Sequence, residues 1–116
     1  MQYMLLIHGE DAAPAAQASD AGRQMMGAYF AYTNALKEAG VLVAGDALHP
    51  AATGTIVRLR DGKTQVLDGP YADSKEHLAG YYLIDVPDLD KALEWAARCP
   101  GAAHGTMEVR PVVVFN

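Results

Sequence analysis

Gly80-Tyr81-Tyr82-Leu83-Ile84-Asp85-Val86 limits the fold of this chain more than any other stretch. Aromatic and β-branched residues make it a strand, and apolar side chains fall on both of its faces. A strand in an antiparallel sheet covered on one side alternates apolar with polar. Val112, Val113 and Val114 break that alternation too. Both strands therefore ask for cover on two faces, whatever sheet they join.

The flanking elements follow from period and punctuation. Tyr3 to Ile7 is an apolar run read as a first strand, and His8 to Ser19 has no period and reads as a surface loop. Ser19 or Asp20 can cap a helix over about Ala21 to Ala39, in which Met25, Tyr29, Tyr32, Leu36 and Ala39 recur at helical spacing. Gly40 suits the left-handed position after it. Val41 to Asp46 reads as a second strand and Leu48 to Ala51 as a connection. Thr53 to Arg60 and Lys63 to Leu67 form a hairpin around Asp61-Gly62, and Asp68-Gly69-Pro70 breaks the return strand.

Tyr71 to Leu78 is polar and is expected to make a helical turn before the strand Gly80 to Val86. Asp88 is the expected cap of a second helix with the inward stripe Leu89, Ala92, Leu93 and Ala96, stopped by Pro100-Gly101. Thr106 to Phe115 is the last strand, where Pro111 points to an edge or a bulge. Without the hairpin the order is β-α-β-β-α-β, so the expected fold is α+β, a ferredoxin-like antiparallel sheet with an added β-hairpin. Two helices cover one face. A second copy related by twofold symmetry is the simplest cover for the other, giving a homodimer with facing sheets. A pocket for a small-molecule ligand then falls between sheet and helices or between the sheets.

The 116 residues favour one domain, 1–116. A net charge of −5 without a basic run argues against a nucleic-acid partner. No segment approaches the roughly 20 apolar residues that span a bilayer, and no cationic amphipathic helix suggests a membrane surface. The N-terminus lacks a signal-peptide pattern, so the cytoplasm is the default. Cys99 is the single cysteine and reads as a small buried residue, against a reactive thiol or an intermolecular bridge.

Candidate chemistry gathers at strand ends. Asp68 precedes Gly-Pro and could act as a general base, against a plain turn residue. Asp46 closes the second strand, where alternation places it beside Leu42 and Ala44, partly buried, against a strand-end cap. His8 could exchange protons near neutral pH, against a hydrogen-bonded loop residue. Tyr29 could hold a substrate oxygen or simply pack in the core. Arg58, with Arg60, could hold an anion or sit on a solvated hairpin face. The four histidines show no His-x-x-x-His or His-x-His spacing, so no metal is expected, and no glycine-rich phosphate loop or nucleophile elbow calls for a cofactor.

Asp68-Gly69-Pro70-Tyr71, Lys75-Glu76, Gly80-Tyr81-Tyr82, Trp95-Ala96-Ala97-Arg98-Cys99-Pro100 and Val109-Arg110-Pro111 together resemble the YCII-related family, in its DGPF branch, with Tyr71 where the branch has Phe. The resemblance covers nearly the whole chain and implies a dimeric α+β barrel. Most members are uncharacterised, and the branch is often encoded near extracytoplasmic-function sigma factors. One relative in the wider group is a dehydrochlorinase of a chlorinated aromatic ring. A His–Asp pair has been proposed as catalytic in the group, and the family's helix His falls at Tyr29 here. Where the branch often has Glu, this chain has Asp46. The expected function is thus a small-molecule-binding dimer doing cofactor-free acid/base chemistry, elimination or isomerisation. Asp68, Asp46 and His8 would be catalytic, and Tyr29, Arg58 and Tyr71 would bind substrate. The alternative is a non-catalytic ligand-binding or regulatory protein tied to sigma-factor signalling.

Overall fold

The computed structural model describes residues 1–10, 19–72 and 74–115. Most of the expected loop before the first helix, and Asp73 in the polar turn, lie outside these residues. Four strands form one antiparallel sheet in the order β2-β5-β1-β6, with β1 at Gln2–Gly9, β2 at Leu42–Ala47, β5 at His77–Asp85 and β6 at Thr106–Pro111. That is the ferredoxin-like order, and the fold class is α+β. A separate hairpin, β3 (Thr55–Arg60) and β4 (Lys63–Asp68), is inserted between β2 and β5. It turns on Asp61 and Gly62, both at positive φ (53° and 73°), as a two-residue turn of this hand requires.

Among the described residues there are three α-helices, α1 (Asp20–Glu38), α2 (Leu89–Arg98) and α3 (Pro100–His104), and a 3-10 turn at Ala51–Thr53. Ser19 caps α1, accepting from the Gly22 amide at 3.2 Å, and Gly40 takes φ 73° just past its end. Asp88 caps α2 through the Lys91 amide at 2.9 Å. The core lies between the helices and one sheet face. Tyr3, Leu5, Ile7, Tyr82 and Ile84 supply the sheet side, and Tyr32, Leu36, Ala92, Ala96 and Cys99 the helix side. The opposite sheet face carries Met4, Leu6, Tyr81 and Leu83, each half-buried, and no helix covers it.

Several expectations need correction. On α2 the buried stripe is Ala92, Ala96 and Cys99 with Trp95 beside it, while Leu89 and Leu93 are about half exposed. The small alanines let α2 lie close to the sheet, and the leucines on the neighbouring turn of the surface face out. Tyr71, Ala72 and Ser74 to Glu76 form bends rather than a helical turn, and β5 starts early, at His77. α2 ends at Arg98, ahead of Pro100 as expected, but Pro100 then starts a further short helix, α3, because proline's missing amide is harmless in a first turn. The last strand ends at Pro111, and Val113, Val114 and Phe115 lie beyond it, exposed. β6 is an edge strand, which fits its proline.

The correction that matters most for function concerns Asp46. The register slips between Leu42 and Ala44: Leu42 pairs with Ile84 on the helix side, but Ala44 pairs with Leu83 and Asp46 with Tyr81 on the open side. This bulge flips every later side chain to the other face. Asp46 therefore parts company with Leu42 and is exposed rather than partly buried.

Candidate functional site

A cleft of about 440 Å³ opens between α1 and the β2–β5 part of the sheet. Ile7, Met26, Phe30 and Leu42 give it apolar walls, and Tyr29, Thr33 and Tyr82 bring hydroxyl groups to it. Helical spacing puts Tyr29 and Thr33 one turn apart on the same face of α1. Strand alternation turns Tyr82 toward them while its neighbours Tyr81 and Leu83 face away. Tyr82 is fixed on two sides. Its ring meets Tyr32 edge to face, centroids 5.3 Å apart at 80°, and its hydroxyl lies 2.8 Å from Thr33 Oγ1.

A third contact depends on Gly45. A Cβ there would stand 2.7 Å from the Tyr82 ring, so only glycine lets β2 run this close. Behind the cleft, Tyr32 donates its hydroxyl to the Trp95 carbonyl at 2.6 Å, and the Arg98 guanidinium stacks 4.3 Å from the Trp95 ring. These contacts tie α1 to α2.

The phenols of this region resist ionisation. Burial pushes Tyr29 up to about 12, helped by the nearby Cys99 and Tyr82. Burial also raises Tyr32 and Tyr82, and the Cys99 thiol with them. At neutral pH the phenols at the cleft and the core thiol behind them are thus neutral. Tyr81 is raised for a different reason, since its hydroxyl donates to Asp46 Oδ2 at 2.9 Å.

The expected site residues separate into three places. Tyr29 and Asp46 both border the α1 cleft. His8 lies at a second depression of about 490 Å³, with Tyr71 and His77, and its Nε2 is 3.0 Å from Glu108 Oε1. Tyr71 is 82% exposed. Asp68 is exposed at the end of β4 opposite Thr55, and Arg58 is half-buried on the hairpin opposite Gln65; neither borders either cavity. Among the described residues no group of three or more His, Cys, Asp or Glu side chains is placed to hold a metal ion. Nor is any described helix long and apolar enough to cross a membrane.

Sequence reasoning missed Tyr82 and Thr33. Both were legible in principle: Thr33 follows Tyr29 by one helical turn, and Tyr82 has the inward phase of a two-sided strand. Glu108 had no local signal, because only the β1–β6 pairing brings it to His8.

A ferredoxin-like α+β domain with a tyrosine-lined cleft beneath its first helix defines the class. The chain belongs to the family of YCII-related domains, which matches residues 1–116. An uncharacterised protein of Rhizobium meliloti (strain 1021) is similar to it throughout, 33% identical over 118 residues that cover 100% of this chain and 95% of the relative.

Proposed function

We propose that this protein binds a small, largely apolar molecule in the cleft between α1 and the sheet, and does so as a homodimer of the DGPF type in the cytoplasm. The cleft carries the reading: a cavity of about 440 Å³ is large enough for a drug-sized ligand, and its walls are apolar with a few convergent hydroxyls. Ligand binding is favoured over proton transfer by the scatter of Asp68, Asp46 and His8, which share no cavity. An acid/base catalyst needs its groups within reach of one substrate atom. A regulatory role, in which the ligand is sensed and released unchanged, suits such a site.

The shape of the subunit supports the dimer. Its Cα radius of gyration is 16.1 Å, against about 13 Å for a compact domain of this length. The subunit is a slab of 47 × 47 × 18 Å with one sheet face uncovered. That face has ample room for the ~800 Å² per partner of a standard interface. On the hairpin, Val57, Leu59 and Val66 share a face and are each at least 60% exposed, far more apolar surface than an isolated hairpin tolerates.

Two measurements test the reading separately. Sedimentation at micromolar concentration should give a dimer, and a Leu59→Lys variant should shift it toward monomer; a wild-type monomer refutes the assembly. Titration with small aromatic fragments should move the backbone amide resonances of Met26 to Thr33. Shifts confined to other parts of the molecule would refute the cleft.

A further inference from the structure

The three hydroxyls at the α1 cleft are not equivalent. Two of them have partners within the protein. Thr33 Oγ1 donates to the Tyr29 backbone carbonyl at 2.9 Å, so in its 2.8 Å contact with the Tyr82 hydroxyl it accepts. The Tyr29 hydroxyl differs from both. No carbonyl, carboxylate or hydroxyl among the described residues accepts its proton. Beside it stand the Gly101 amide, itself a donor, and the Cys99 thiol, a weak acceptor.

The packing around this hydroxyl gives it a fixed place. A Cβ on Gly101 would stand 2.9 Å from the Tyr29 oxygen and 2.8 Å from Ile7 Cγ2, so the glycine makes the room in which the phenol is seated. Burial also pushes the phenol up to about 12, which keeps its proton in place at neutral pH. A half-buried donor without a strong acceptor costs free energy, and an acceptor brought by a ligand removes that cost. We infer that the cleft takes an uncharged molecule carrying a carbonyl group on an apolar frame, with the Tyr29 hydroxyl donating to the carbonyl oxygen. The inference rests on the cleft being the binding site. The apolar frame answers to Ile7, Met26, Phe30 and Leu42. The absence of charge follows from the lining: no Lys or Arg is among the described residues that border the cleft, so a carboxylate would lose its water and meet no cation.

Indane and 1-indanone make a suitable probe pair, because they share one frame and differ by the carbonyl. Amide-shift titration should place both along Met26 to Thr33 in the wild-type protein. Tyr29→Phe should weaken 1-indanone by about fivefold, the worth of one ordinary hydrogen bond, and leave indane within about twofold. The infrared carbonyl band of bound 1-indanone should lie below its position in cyclohexane, and Tyr29→Phe should move it back up. Equal weakening of the two probes, or no weakening of either, overturns the assignment to Tyr29 and leaves the cleft reading standing. A carbonyl band at the cyclohexane position in the wild-type complex overturns it too, and that spectrum decides the matter even if Tyr29→Phe fails to fold. Binding of neither probe, with no shift along α1, overturns both the assignment and the cleft reading.

Discussion

Replacing Gly45 by alanine tests whether the Tyr82 ring is pinned as tightly as its contacts imply. The new methyl would start 2.7 Å from Tyr82 Cδ1 and 3.1 Å from the Tyr81 carbonyl, where ordinary contact begins at 3.4 Å. The ring would have to withdraw, but it is buried, held by Tyr32 at 5.3 Å and tied to Thr33 at 2.8 Å. Overpacking of this kind costs about 1–3 kcal/mol. A stretched Tyr82–Thr33 hydrogen bond adds about 1 kcal/mol. The stiffer unfolded chain offsets roughly 0.4–1 kcal/mol, since Gly45 is not at positive φ. The net loss is about 2 kcal/mol, a fall in Tm of about 10 °C for a domain of this size. Differential scanning calorimetry reads it directly. Gly27→Ala is the control: nothing lies within 4 Å of its added Cβ, on an exposed turn of α1, so it should stabilise by about 0.5–1 kcal/mol. A Gly45→Ala protein that melts within about 2 °C of wild type would refute the reasoning. It would mean that the edge strand β2 swings away freely and that the cleft wall is soft.

Leu36→Ala empties a fully buried position of α1 and should cost about 2–5 kcal/mol by denaturant unfolding, without changing the fold. Asp88→Ala removes the cap of α2 and should cost about 1 kcal/mol, with Asp88→Asn close to neutral in the same assay. The alkaline limb of stability has a definite sign. Tyr29, Tyr32, Tyr82 and Cys99 all hold their protons more firmly folded than unfolded, so their contribution is intact below the ordinary thiol and phenol range. It is lost as pH climbs through that range toward the Tyr29 value of about 12. Tm should thus be flat through neutral pH and fall above about 9, where free thiols and then free phenols ionise. A Tm that rises there would contradict the buried, neutral assignment.

How far the site could be read ahead of the structure varied residue by residue. Tyr29 was found because helical period alone places it on the inward face of α1. Asp46 was found as a carboxylate at a strand end but assigned to the wrong face, because a bulge between Leu42 and Ala44 leaves no mark in a short apolar run. His8 was singled out without its partner, since Glu108 stands a hundred residues away in sequence and meets it only across β1 and β6. Asp68 and Arg58 looked like chemistry by residue type and turned out to sit on the hairpin, away from both cavities. On α2 half of the expected stripe held: Ala92 and Ala96 are buried as expected, while Leu89 and Leu93 are about half exposed.

Local signals in the chain itself settled the element order, the caps at Ser19 and Asp88, the Asp61-Gly62 turn and the doubly apolar strand that ends at Asp85, because each depends on neighbours within one turn or one pleat. Those elements were enough to dictate a ferredoxin-like sheet. Tertiary packing alone decided which hydroxyls meet under α1 and which face Asp46 occupies. Those outcomes depend on strand register and interlayer distance, and both are set by contacts between residues dozens of positions apart.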